Sequence, residues 1–137
     1  MWPALRQPIL GILHIGYLWL PVGLLLNAFA HQGLIWSPRL ALHALTMGAI
    51  GTITLAMLTR VARGHTGRPL HVHWVTVVGY FLVIAAAIIR LVLPAWAPAY
   101  TFPSIVVAAI LWTAGFAIYL VRYAPILLRP RVDGKPG

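Results

Sequence analysis

Four apolar runs, at residues 8–29, 38–59, 74–93 and 102–123, take up most of this 137-residue chain. Each is close to the ~20 residues that a helix needs to cross a ~30 Å hydrocarbon layer. In such a layer no water is present to satisfy backbone N–H and C=O groups, so each segment must bond internally, as a helix does. Composition agrees. Hydrophobic residues make up 61% and charged residues 8%, with a mean hydropathy of +0.91, outside the range of soluble domains. Exposing that surface to water would cost about 25 cal/mol per Å². The predicted fold is all-α, an integral membrane four-helix bundle forming one transmembrane domain over residues 1–137.

The charge pattern narrows the partners. Ten Lys and Arg stand against one acid, Asp133, for a formal charge of +9. A basic balance of this size suits nucleic acid as well as anionic membrane. Here the charges sit at the ends of apolar runs and do not interleave with polar residues, a pattern that fits membrane lipids and argues against nucleic acid. The chain has no cysteine, which removes disulfides, thiolate ligands and cysteine nucleophiles; a metal would have to use His, Met or oxygen.

Proline punctuates the spans at Pro8, Pro38 and Pro103, where a missing N–H falls in a first turn, and Ser37 is a candidate N-cap for the second helix. Short linkers make successive helices antiparallel, giving two hairpins. Residues 124–137 are expected to follow the last span as a cytoplasmic tail, with 129–137 loose. The first run ends in Ala28-Phe29-Ala30, which resembles a signal-peptidase site, but it exceeds the usual ~7–15 apolar residues and carries His14, Tyr17 and Pro21, so a retained helix is expected. Arg6 precedes helix one. Arg60, Arg63 and Arg68 fall between helices two and three, and Arg122, Arg129, Arg131 and Lys135 follow helix four. Arg39 and Arg90 lie toward the opposite side. The positive-inside rule therefore predicts N-in and C-in, with Trp36, Trp74, Trp96 and Tyr100 at the interfaces.

Within helix two, Ala44, Gly48, Thr52 and Ala56 recur at i, i+4 with Gly51 beside them, a small face suited to close helix packing. Thr46, Thr52 and Thr54 can return their hydroxyls to the backbone. His43 is the more informative residue, because an ionisable side chain in an apolar span is costly and by default functional. Arg39, four residues earlier, shares its face one turn nearer the outer surface. A haem held by His43 would need such a cation for its propionates, and Arg90 is a second candidate. Met47 continues the face, to pack on a ring or offer sulfur to copper. The alternative is a hydrogen-bonded histidine with two snorkelling arginines. His14 belongs to the opposite side, ~20 Å from His43 in depth at 1.5 Å per residue, so the two cannot share one iron. His31 could approach the level of His43 from the outer loop, and His65, His71 or His73 that of His14 from the inner one.

The inner loop Arg63-Gly64-His65-Thr66-Gly67-Arg68-Pro69 spaces two guanidiniums around a histidine, either as an anion or propionate cradle or as an ordinary basic turn. His71-Val72-His73 is a low-specificity metal pattern. No nucleophile triad, phosphate loop or carboxylate pair is present, so no catalytic residue is assigned and carboxylate acid–base chemistry in the membrane is excluded.

The run His43-Ala44-Leu45-Thr46-Met47-Gly48-Ala49-Ile50-Gly51-Thr52, continued by Leu55-Ala56-Met57-Leu58-Thr59-Arg60 and closed by Gly64-His65-Thr66-Gly67-Arg68-Pro69-Leu70, resembles the NnrS family. Leu13-His14-Ile15-Gly16-Tyr17 and Ala87-Ile88-Ile89-Arg90 extend the likeness over about residues 10–95, while helix four matches in character only. Family members are larger polytopic proteins described as containing haem and copper and linked to nitric oxide and nitrosative stress in denitrifying and related bacteria; the resemblance is to their C-terminal part. It implies a bacterial inner-membrane protein binding haem, of b type, with copper as an optional second metal, alone, as a homo-oligomer or with a larger respiratory partner. The residues it singles out are His14, His43, His65, Arg68 and Arg90. The expected function is haem binding in nitric oxide response or respiratory metabolism, with His43 as axial ligand ahead of His14; the rival is a cofactor-free scaffold or assembly subunit of a respiratory complex.

Overall fold

Prolines and small polar side chains set the helix starts. The computed structural model describes residues 7–34 and 37–134; Arg6, Trp36 and Lys135, given roles above, lie outside them. Four long helices, each long and apolar enough to cross a membrane, account for most of the described residues, which contain no strand. Helix α1 (Pro8–His31) begins with Pro8 in its first turn. Helix α2 (Pro38–His65) begins as expected with Ser37 capping it, its hydroxyl accepting from the Arg39 N–H at 3.3 Å. Helix α3 (Trp74–Trp96) is capped by His73, whose Nδ1 accepts from the Val75 N–H at 3.3 Å. A short 3₁₀ turn (Pro98–Tyr100) leads into α4 (Thr101–Leu127).

The first two helices stop in the same way. Gly33 and Gly67 take positive φ, 69° and 72°, and each lets the chain fold back onto the last turn. Leu34 N–H reaches Phe29 O and Gly33 N–H reaches Ala30 O; Arg68 N–H reaches Arg63 O and Gly67 N–H reaches Gly64 O. Both are Schellman caps, which satisfy carbonyls that the helix end would leave bare and favour glycine because it carries no Cβ. The helices also outrun their apolar spans, α2 to His65 and α4 to Leu127. Much of the basic segment read as a loop is thus helical surface.

Alternating directions bring the ends of α2 and α4 and the starts of α1 and α3 to one end of the bundle, the His65 end. The opposite, His43 end carries the α1–α2 and α3–α4 connections. Helix α1 packs on α2, α3 on α4, and α2 joins the two hairpins. The main core lies toward the His65 end, where Ile12, Leu13, Leu55, Ala56, Tyr80 and Val83 are buried together. Lipid tails are as apolar as these side chains, so close fit and internal hydrogen bonds hold such a bundle more than apolarity does.

The small face of α2 packs as expected, but against rings. A Cβ at Gly48 would run into the Trp19 indole of α1, and one at Gly51 into the Trp112 indole of α4. The close backbone approach occurs elsewhere, between α3 and α4, where a Cβ on Gly115 would sit 2.9 Å from Gly79 O. Between His43 and Thr52, residues Ala44–Gly51 form a π-helix. Wider i→i+5 turns of this kind are uncommon and gather at functional sites.

Candidate functional site

His43 is the last residue before the π-helical segment. One of its ring nitrogens is committed: Nδ1 lies 2.5 Å from the Arg39 carbonyl. A carbonyl oxygen only accepts, so Nδ1 is the donor, and in the neutral ring Nε2 is then the nitrogen with a lone pair. Metal-ligating histidines are oriented in this way, with the second nitrogen fixing ring and tautomer.

The half-buried imidazole borders a cavity of about 320 Å³ at the His43 end. Arg39 and Arg90 both line it, as do Pro94 and Thr101. Three of the four helices meet there: α2 supplies Arg39 and His43, α3 supplies Arg90 and Pro94, and α4 supplies Thr101. The Arg90–Pro94 spacing has a backbone consequence. Pro94 has no N–H, so the carbonyl of Arg90, four residues back, loses its helical donor at the cavity wall. Thr101 donates its hydroxyl to Pro98 O at 2.8 Å, fixing the entry to α4. A second chamber of about 260 Å³ shares Arg90 and Ile105 with the first and adds Met47, Ala108, Ala109 and Trp112. Arg90 therefore stands between two hollows, the first with a larger polar share of its wall than the second.

The structure brings together three residues singled out in the sequence, Arg39, His43 and Arg90, and keeps the rest apart. Met47 borders the second chamber and not the one holding His43. His31 and His14 are exposed, and each places Nδ1 on the carbonyl four residues earlier, Asn27 O at 2.9 Å and Leu10 O at 2.7 Å. Neither borders the His43 cavity. Among the described residues no three His, Cys, Asp or Glu converge on a metal-sized site. His73 is occupied as the α3 cap, which gives half of the His71-Val72-His73 pattern a structural task.

The inner loop is arranged differently from the cradle expected of it. Arg63 closes the loop on itself, donating Nε–H to Pro69 O at 2.6 Å. Arg68 is half-buried with Nη1 enclosed and lacking a hydrogen-bond partner among the described residues. His65 instead borders a basin with Arg60 and Arg131. Nor is the segment after α4 loose throughout: Val132 N–H donates to Thr66 O at 3.2 Å, and Arg131 pairs with Asp133 through two hydrogen bonds of 2.8 and 2.6 Å. These bonds hold the Arg131 guanidinium above its ordinary, already high pKa.

Sequence reasoning missed Pro94, Thr101 and Ile105 as cavity walls, and Arg60 and Arg131 as a pair. Pro94 carried a readable signal, its i+4 spacing from Arg90. Thr101 and Arg131 did not, since only the tertiary arrangement brings them to their neighbours.

No curated protein and no solved structure matches the chain. The NnrS protein family matches over residues 1–131. That range takes in α4 as well as the part where the motifs lie, so this chain, with four helices long and apolar enough to cross a membrane, belongs to the NnrS family.

Proposed function

We propose that the protein binds a haem at the His43 end of the bundle and serves the nitric oxide or nitrosative-stress response from the bacterial inner membrane. The observation that carries this reading is the His43 cavity, where an imidazole with a free Nε2 faces the same space as two guanidiniums. The donor set fits a haem. Neutral imidazole is a common axial ligand, and arginine forks suit carboxylates such as propionates. A cavity of about 320 Å³ beside a chamber of about 260 Å³ falls within the usual size of cofactor sites, ~300–1,000 Å³.

In this reading the Nδ1–H bond to Arg39 O aims Nε2 and raises its basicity. Arg39 and Arg90 would neutralise carboxylates near the membrane surface. When bound, the haem would supply an iron that takes up nitric oxide or an electron. With one histidine on the cavity among the described residues, a second copy or a partner subunit would have to supply any further histidine to the haem. N-in and C-in topology, supported by the basic residues at the His65 end, places the haem toward the periplasmic face.

The residues do not fit a resident copper ion. Among the described residues His43 is the one histidine on its cavity, Met47 borders the neighbouring chamber, and His14 and His31 line neither.

Protein expressed with ample haem and purified in detergent is expected to show a Soret band that His43→Ala abolishes, with no stoichiometric copper on metal analysis. A colourless protein that co-purifies with an oxidase or reductase would instead favour the scaffold reading.

A further inference from the structure

At the far end of the bundle from His43, a basin of about 410 Å³ opens between the last turns of α2, the loop after it and the segment following α4. Met57 and Val61 form the floor, Leu70 closes one side, and Arg60, His65 and Arg131 supply the polar wall. From Met57 to His65 is eight residues, about 12 Å along the helix. The basin thus runs from Met57 on the deeper side to His65 at the helix end, with Arg60 and Val61 together about one turn beyond Met57.

The cationic wall is built. Arg131 spends Nε and Nη2 on Asp133, which fixes the plane of the guanidinium and leaves the Nη1 edge to face a second anion. Asp133 is itself seated by Gly67, where an added Cβ would lie 2.7 Å from the carboxylate carbon. The Val132 bond to Thr66 O anchors the same segment from the other side. Arg63 is committed to Pro69 O, so the basin draws on Arg60 and Arg131.

We propose that this basin binds a phosphate-bearing anion through Arg60 and Arg131, with His65 as a third donor, and that its natural occupant is the headgroup of an anionic phospholipid. Planar guanidinium forks match phosphate oxygens, and basic pockets at helix ends are suited to acidic headgroups. The apolar floor favours a lipid over free phosphate, because Met57 and Val61 offer acyl-chain contact that a soluble ion cannot use. The site is independent of the haem at the other end.

The test uses the full chain in a neutral detergent, titrated separately with phosphatidylglycerol, phosphatidylcholine and inorganic phosphate, with binding read by native mass spectrometry and thermal shift. Phosphatidylglycerol is expected to bind and stabilise the protein while phosphatidylcholine does not, and Arg60→Gln with Arg131→Gln should weaken that binding by ~10-fold or more. Arg122→Gln, which removes an exposed charge at the same end, should leave it unchanged. Gly67→Ala keeps every cation but displaces Asp133, and should weaken binding as well. Inorganic phosphate bound by the wild type and lost in the double variant would support the same phosphate chemistry with a soluble source. Equal binding of the two lipids, or equal phosphatidylglycerol binding by wild type and double variant, would overturn the proposal. Should the double variant lose its helical signal, Arg131→Gln alone, outside the spanning helices, carries the comparison.

Discussion

The two halves of the bundle are made from the same four helices and packed to opposite ends. Toward the His65 end, Leu55, Tyr80 and Val83 interlock with Ile12 and Leu13, and Thr76 and Tyr123 share a buried hydrogen bond of 3.3 Å. Toward the His43 end the buried positions are mostly small, Ala41, Ala44, Ala87 and Ala108 among them, and the space between the helices stays open as two adjoining cavities. Large side chains close one half and small ones hold the other open. The polar residues follow the same division in part: His43, Arg39 and Arg90 line the open half, whereas Arg60, His65 and Arg131 gather in a basin at the edge of the closed one. A closely packed half thus adjoins a half with room for a ligand.

The sharpest way to break that comparison is at the boundary. Gly51→Leu would force the Trp112 ring out of its place against α2 and into the second chamber, and should lower stability by about 3 kcal/mol along with haem retention. Unchanged melting and tryptophan fluorescence would show that the ring does not sit there. Next in size is the pair Arg39→Gln and Arg90→Gln, which removes both guanidiniums from the open half. Haem retention should fall by about 10–100-fold, the scale of lost charge-assisted hydrogen bonds, while phosphatidylglycerol binding at the other end is unaffected; haem retention equal to wild type would separate these residues from any propionate role. The smallest effect belongs to the closed half. Thr76→Val removes one buried hydrogen bond with Tyr123 and should cost about 1 kcal/mol of stability without altering the optical spectrum. A spectral change would mean that the two halves are coupled.

The division of the molecule was only partly legible in the sequence. Span number and order were, because hydrocarbon thickness sets the length of an apolar run and leaves backbone groups no alternative to a helix. The Arg39–His43 relation was too, since i, i+4 residues share a face wherever the helix lies. Arg90 reached the same cavity because antiparallel hairpins fix its depth. The π-helical segment was not legible: Ala44 to Gly51 reads as an ordinary small-residue helix, and the two indoles that fill its glycines, Trp19 and Trp112, come from distant parts of the chain. The segment after α4 was misjudged for a related reason. Its basic, proline-containing composition suggests a solvated tail, and the contacts that hold it, to Thr66 and Gly67, lie more than sixty residues away.

The central claim is that His43, and not His14, ligates the cofactor in the open half. The most direct measurement is the oxidised and reduced optical spectrum of the haem-loaded protein, taken for wild type, His43→Ala and His14→Ala in the same detergent. The account predicts a Soret band and a redox difference spectrum in the wild type, their retention in His14→Ala and their loss in His43→Ala. A wild-type spectrum that survives His43→Ala, or disappears with His14→Ala, would contradict it.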